Sequence, residues 1–253
     1  MNNKQRWAKL ETWLPQFFTD YQICRKDKTL SPTTQTFSRL ICQNLDEWFC
    51  TIAEPLKIAR SAAFQCDPWE IAGLGSDEVR NSSILAWLLN PKGSHGLGDA
   101  AMTQLLVQLN QHFCGDFPTN CGSFCSVRTE SNPDGELTNR VDIEIDSENF
   151  YLIIEVKINA LERDKQLKDY GDLTKNQAHG RPWALVFLTP GGIPPKTAGE
   201  HTSKVLPLSW KKLSHLLGKA LNSELLLHYD IKGPSRVMTE QLVRRFLKRI
   251  HSY

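Results

Sequence analysis

The sequence predicts an α/β fold, a mixed β-sheet core flanked by helices, with an N-terminal helical extension. The first observation is in the middle of the chain, where the alternating run VDIEID at 141–146 precedes the apolar run FYLIIEVKI at 150–158. Such runs are typical of strands, and the polar turn SEN between them predicts a hairpin. The second observation is the element order, because segments with helical spacing of apolar residues precede, interrupt and follow the strands.

Length and composition predict a globular, cytoplasmic protein. The 253 residues suffice for one large domain or for a core with an added module, and 40% are hydrophobic. The chain lacks the apolar run of about 18 residues that a membrane span needs, and its N-terminus lacks a signal-peptide pattern. The seven cysteines form no CxxC pair, which favours reduced thiols over a zinc site. The net charge of +2 means that any surface for a polyanion is local.

The N-terminal extension is predicted to consist of three helices, at 1–22, 34–49 and 52–63. Aromatic and apolar residues recur at helical spacing in the first of them: Trp7, Leu10, Trp13, Leu14, Phe17 and Phe18. Such a stripe is more often part of a core than a base-stacking surface. This region carries none of the motifs described below.

The remaining elements follow in order. After a loop at 67–76, Ser76 or Asp77 can cap a helix that begins at Glu78. Next come a helix at 100–113, a strand at 124–130, the hairpin, a helix at 162–173, strands at 183–189 and 204–208, and helices at 209–221 and 239–251. We therefore divide the chain into the extension at 1–70, a core at 71–221 and a C-terminal helical segment at 222–253 packed on the core.

Three charged residues of the hairpin form a candidate site. Glu155 and Lys157 are two apart, so both side chains leave the same face, and Asp142 on the neighbouring strand can converge with them. Two adjacent carboxylates favour a hard cation such as Mg²⁺. A lysine beside that cation can hold a water or help to deprotonate it, as metal-assisted phosphodiester hydrolysis requires. The alternative is a cross-strand salt bridge on a solvated sheet face.

These residues resemble the pattern of the PD-(D/E)XK nuclease superfamily, which has the restriction-endonuclease-like fold. That pattern is an acid on one strand, acid-x-Lys on the next and often a Gln on the following helix, which here gives Asp142, Glu155, Lys157 and Gln166. Val141 stands where the pattern usually has Pro. A literal Pro-Asp occurs at 133–134, but it lies in a predicted turn, and a metal ligand is better held on a rigid strand.

Flanking motifs extend the resemblance to about residues 78–210. Glu78 begins a helix that ends in Leu-Leu-Asn-Pro, His95-Gly follows it, and Gln166-Leu-x-x-Tyr170 continues the pattern downstream. These motifs are similar to those of a bacterial branch known mainly as uncharacterised or defence-associated proteins.

The resemblance implies a Mg²⁺- or Mn²⁺-dependent nuclease. Asp142, Glu155 and the carbonyl of Val156 would hold the metal, Lys157 would orient the attacking water, and Gln166 would fix Lys157 or the water. DNA is the expected substrate, without excluding RNA. A homodimer or a defence-system partner is compatible with the sequence, and a catalytically silent nucleic-acid-binding or assembly module of the same fold is the alternative.

Further residues are accessory candidates. Glu78 either complements the helix dipole or reaches the metal, Tyr170 lies on the face of Gln166, and His95 can position DNA or donate a proton, although a structural hydrogen bond is more common for such a histidine. The last predicted helix carries a basic face that is either solvated or in contact with phosphates: Arg244, Arg245, Lys248 and Arg249.

Overall fold

The computed structural model describes residues 66–134, 140–227 and 233–253, together with the single positions 51, 53 and 57. The predicted helices at 1–22 and 34–49, and most of the one at 52–63, lie outside the described residues. The chain divides into two compact units, Met1–Cys66 and Asp67–Tyr253, and the elements below belong to the second.

This unit alternates helices and strands. Its helices are α1 (Pro68–Ile71), α2 (Glu78–Leu89), α3 (Ala100–His112), α4 (Gln166–Gln177), α5 (Trp210–Leu227) and α6 (Pro234–Ile250). Its strands are β1 (Cys125–Ser131), β2 (Val141–Ser147), β3 (Tyr151–Val156), β4 (Trp183–Thr189) and β5 (Val205–Ser209), with a 3₁₀ helix at Gly199–Lys204. Each strand boundary lies within two residues of the predicted one.

The five strands form one mixed sheet in the order β1-β2-β3-β4-β5. The first three strands are antiparallel neighbours, whereas β3, β4 and β5 run parallel. Parallel neighbours need a crossover connection, which α4 supplies between β3 and β4. The carboxyl ends of β3, β4 and β5 therefore lie at the same edge of the sheet.

Apolar layers cover both faces of the sheet. Leu152, Ile154 and Val156 of β3 pack in a cluster with residues of α2, α3, α5 and α6, whereas Tyr151 and Ile153 pack with α4. Burial of β3 on both faces explains why its sequence is an apolar run rather than an alternating one. The predicted α/β class, a mixed sheet flanked by helices, is confirmed. None of the described helices is long and apolar enough to cross a membrane.

Helix α4 begins at Gln166, four residues later than predicted. Lys165 has a left-handed backbone (φ 57°), which separates the helix from the preceding loop. The hydroxyl of Thr197 accepts from the N–H of Leu167 at 3.2 Å and so satisfies one of the free donors at the helix start. Glu162, the predicted first residue, instead accepts a hydrogen bond from the N–H of Thr197 at 2.9 Å.

The C-terminal helices are longer than predicted. Helix α5 continues to Leu227, so the predicted boundary at 222 falls inside it, and α6 begins at Pro234, a residue suited to the first helical turn. The Ser214 hydroxyl donates to the carbonyl of Leu247 at 3.0 Å and links the two helices.

Trp210 connects α5 to the candidate site. Its side chain is fully buried, and its indole N–H donates to the carbonyl of Lys157 at 3.0 Å. The backbone at Lys157 is thereby attached to the first residue of α5.

We expect Trp210→Phe to lower the free energy of unfolding by about 1–3 kcal/mol, because the carbonyl of Lys157 loses its donor. Urea denaturation measures this change. Trp87→Phe is the matched control, since it removes an indole hydrogen bond to the Ser94 hydroxyl at an exposed position. An equal loss of stability in the two variants would contradict the expectation.

Candidate active site

Asp142 and Glu155 face each other on adjacent strands. The antiparallel register pairs Ile143 with Ile154, so Asp142 and Glu155 are the next opposite pair. Residues directly opposite in such a ladder extend from the same face of the sheet. Asp142 Oδ2 also accepts from the backbone N–H of Val156 at 2.7 Å, which fixes its orientation.

The two oxygens of Glu155 differ in their surroundings. Oε1 lies 2.6 Å from the ammonium nitrogen of Lys157 and accepts from the side-chain amide of Gln166, also at 2.6 Å. Oε2 is buried and has no hydrogen-bond partner among the described residues. Glu155 is 2% exposed as a whole. A buried carboxylate oxygen without a donor is costly unless a ligand satisfies it.

Burial raises the pKa of both acids. Burial and the neighbouring charge of Asp142 raise the pKa of Glu155 from 4.5 to about 8, against the opposing effect of Lys157. Burial also raises the pKa of Asp142, although the N–H of Val156 and the charge of Lys157 act in the opposite direction.

Gln166 and Tyr170 lie on the α4 side of this site. The amide of Gln166 donates to Glu155, whereas the sequence predicted that it fixes Lys157 or the attacking water. Its Oε1 accepts from the backbone N–H of Arg163 at 3.1 Å. The hydroxyl of Tyr170 donates to the carbonyl of Arg140, just before β2, at 2.8 Å. Helix α4 thus positions Glu155 through the amide of Gln166. It positions the start of β2 through the hydrogen bond from the Tyr170 hydroxyl to the Arg140 backbone.

Glu78 reaches the same edge of the sheet from the first turn of α2. One oxygen accepts from the N–H groups of Ile158, Asn159 and Ala160 at 2.7, 3.2 and 3.2 Å. Its charge also raises the pKa of Asp142, so the two carboxylates are close enough to repel. Glu78 therefore holds the turn that follows Lys157 and adds negative potential to the site.

The other accessory candidates lie in different surroundings. His95 is 1% exposed, accepts from the N–H of Leu97 at 3.0 Å and lies 2.9 Å from the carbonyl of Asn90, so both ring nitrogens serve its own loop. Burial accordingly lowers its pKa. On α6, Arg244 binds Glu240 at 2.8 Å and Arg249 lies 3.8 Å from Asp67. Lys248 is exposed and Arg245 is partly exposed on the same helix.

A further group of potential ligands was not predicted. Ligand atoms of Asp172, Glu200 and His201 lie within 4.8 Å of one another. His201 is buried, binds Asp172 at 2.8 Å and packs against the ring of Trp183. A Cβ at Gly171 would collide with its ring. These contacts give His201 a structural role between α4 and the 3₁₀ helix, and they join segments too distant in sequence for a motif.

Comparison with known protein families assigns the chain to a superfamily. A family model described as the PD-(D/E)XK nuclease superfamily matches residues 66–236, which is more than half of the sequence. The chain therefore belongs to the PD-(D/E)XK nuclease superfamily, whose members are generally nucleases that use divalent metal ions. The comparisons with curated proteins and with solved structures returned no match.

The residues at the carboxyl end of β3 fit a divalent cation. Oε2 of Glu155 lacks a partner among the described side chains and backbone groups, and the opposite carboxylate of Asp142 supplies a second oxygen. Oxygen donors of this kind are the ligands that Mg²⁺ and Mn²⁺ prefer. Burial raises the pKa of both acids, and the positive charge of Lys157 beside Glu155 offsets this effect only in part.

We expect Glu155→Gln to stabilise the metal-free protein at pH 8. A raised folded-state pKa contributes stability at low pH that is lost as the pH rises from about 4.5 to about 8, and the amide removes this loss. The melting temperature should rise by roughly 2–4 °C for each kcal/mol of relieved repulsion. Thermal melts in chelator at pH 5 and pH 8 measure the difference in melting temperature between the variant and the wild type. This difference should be smaller at pH 5.

The same melts test the metal site without an activity assay. Mg²⁺ or Mn²⁺ should raise the melting temperature of the wild type at pH 8, because a ligand that binds only the folded state stabilises it. Neither ion should shift Glu155→Gln. Equal shifts in both proteins would place the metal elsewhere.

Proposed function

We propose that the protein is a metal-dependent nuclease that hydrolyses phosphodiester bonds of DNA, with Mg²⁺ or Mn²⁺ held by Asp142 and Glu155. The supporting observation is the buried Oε2 of Glu155, which has no hydrogen-bond partner among the described residues and lies opposite the half-buried carboxylate of Asp142, at the motif that characterises the superfamily. If these residues formed only a cross-strand salt bridge, that oxygen would have a partner and no second acid would lie beside it.

The proposed roles divide between holding the cation and handling the water. The metal would supply Lewis acidity toward the phosphate and a bound water of lowered pKa. Asp142, Glu155 and the carbonyl of Val156 are the proposed ligands. Asp142 is held by the N–H of Val156, and Glu155 by Gln166, so neither carboxylate needs to reorganise on binding.

Lys157 is the proposed partner of the attacking water. Its ammonium group lies against Oε1 of Glu155, and its side chain is 12% exposed, so it sits at the boundary between the buried acids and solvent. There its positive charge can orient the water and stabilise the negative charge that develops on the phosphate.

DNA is the proposed substrate because most proteins that share this motif cleave DNA. We place the biological role in anti-phage or restriction-type defence in the cytoplasm, on the resemblance of the flanking motifs around Glu78, His95 and Tyr170. Incubation with Mg²⁺ or Mn²⁺ and circular DNA, linear DNA, single-stranded DNA or RNA tests the substrate class. Cleavage of RNA alone would replace DNA in the proposal, and cleavage of none would favour the silent module.

Asp142→Ala and Glu155→Ala should each abolish metal-dependent cleavage while leaving the fold intact, because each removes a proposed metal ligand. A gel assay with plasmid DNA measures cleavage, and circular dichroism checks the fold. Asp134→Ala is the matched control: it removes the acid of the literal Pro-Asp and should cleave like the wild type. An inactive Asp134 variant beside an active Asp142 variant would move the motif to the turn.

Lys157→Ala should lower kcat by on the order of 10²–10³-fold, the loss typical of one group that stabilises developing charge. It should retain most of the DNA affinity in Ca²⁺, which occupies oxygen sites and is used here to measure binding without turnover. Lys157→Arg should not restore the rate, because a planar guanidinium cannot replace a point charge. Affinity that falls in proportion to the rate would make Lys157 a phosphate anchor instead.

A further inference from the structure

A basic groove lies between α5 and α6, outside the candidate active site. It has a volume of about 610 Å³, and its lining includes Lys212, His215 and Lys219 from α5 and Lys248 and His251 from α6. No acidic residue lines it in the part of the chain that the structure describes. For a protein with a net charge of only +2, this is a marked local concentration of positive charge.

The groove cations are available to a ligand. Lys212, Lys219 and Lys248 are exposed and form no ion pair with any described residue, in contrast to Arg244 and its partner Glu240 on α6. The rings of His215 and His251 lie 5.1 Å apart across the groove, in an edge-to-face arrangement. Leu247 adds an apolar side chain to the lining, so the groove combines apolar and charged surface.

The groove is elongated along α5. At 1.5 Å per residue, Lys212 and Asn222 are about 15 Å apart along the helix axis. A nucleic-acid strand in a duplex carries one phosphate per 3.4 Å, so this length matches about four phosphates. The spacing of the lysines suits a chain of phosphates better than a single small anion.

The groove also begins close to the catalytic edge of the sheet. Lys212 is two residues after Trp210, whose indole binds the carbonyl of Lys157. A strand held along α5 would therefore run toward the carboxyl ends of β3 and β5 without itself reaching Asp142 or Glu155.

We propose that the α5–α6 groove is a second nucleic-acid contact, which holds the phosphate backbone outside the cleavage centre. The inference rests on the proposed nuclease function and assigns Lys212, Lys219 and Lys248 as the anchoring cations. Lys248 also belongs to the basic face predicted from the sequence, whose contact with phosphates stays a prediction.

The salt dependence of binding tests this contact. In an Asp142→Ala background, which prevents cleavage, Lys219→Ala/Lys248→Ala should reduce the slope of log K against log salt by about 1.8 for duplex DNA, since each lost phosphate contact contributes about 0.9. The matched control is Lys175→Ala/Lys211→Ala, which removes two exposed lysines that do not line the groove and should leave the slope unchanged. Fluorescence anisotropy over about 50–200 mM salt measures both.

The outcomes test the groove contact and the nuclease proposal separately. In the cleavage-competent protein, the groove variant should raise KM and leave kcat within two-fold of the wild type. Equal slopes in the groove and control variants would overturn the groove contact, and if the wild type still cleaves DNA the nuclease proposal stands. Both proposals would be overturned if the wild type cleaves no nucleic acid and the Asp142→Ala protein binds none.

Discussion

The constraint on which the site depends is the position of two carboxylates, buried Glu155 and half-buried Asp142, side by side with one lysine. Like charges in a poorly solvated place repel, and the positive charge of Lys157 offsets only part of that repulsion. The β2–β3 ladder and the surrounding core nevertheless impose the arrangement, because separating the acids would break strand pairing and expose apolar surface. The fold therefore maintains a local destabilisation that a divalent cation can relieve.

Three connections keep the acids in place, and each comes from a different part of the chain. Gln166 of α4 holds Glu155, Glu78 of α2 holds the turn after Lys157, and Trp210 of α5 holds the carbonyl of Lys157. Helices on both faces of the sheet thus converge on the end of β3. Such support from rigid elements is what a preorganised site requires, since a ligand held only by its own loop would shift on binding.

Periodicity predicted the strands well because the pattern that indicates a strand lies within the strand's own residues. The run 150–158 and the strand at Trp183–Thr189 needed only their own residues to be recognised. Glu144 shows the limit: its run alternates apolar and acidic residues, a pattern typical of a strand with one face in solvent, but it is 2% exposed. Three partners supplied by other segments and strands make that burial tolerable: Arg128, Ser131 and Tyr151.

The site was predictable to the extent that it follows from strand register. The motif named Asp142 and Glu155, which the strand register places opposite each other, and Gln166, which donates to Glu155 rather than to Lys157. The start of α4 was missed because its cap comes from Thr197, about 30 positions downstream, and no local signal marks such a residue. The contacts of Glu78 with residues 158–160 and the α5–α6 groove are likewise products of tertiary packing.

The reach of Glu78 across 80 positions of sequence has a consequence for folding. A contact between distant segments closes a long loop, and the entropy lost in closing that loop opposes the contact. The turn after Lys157 therefore depends on the docking of α2 at the end of β3. A chain in which α2 is not docked lacks this anchor, so the candidate site is complete only in the native fold.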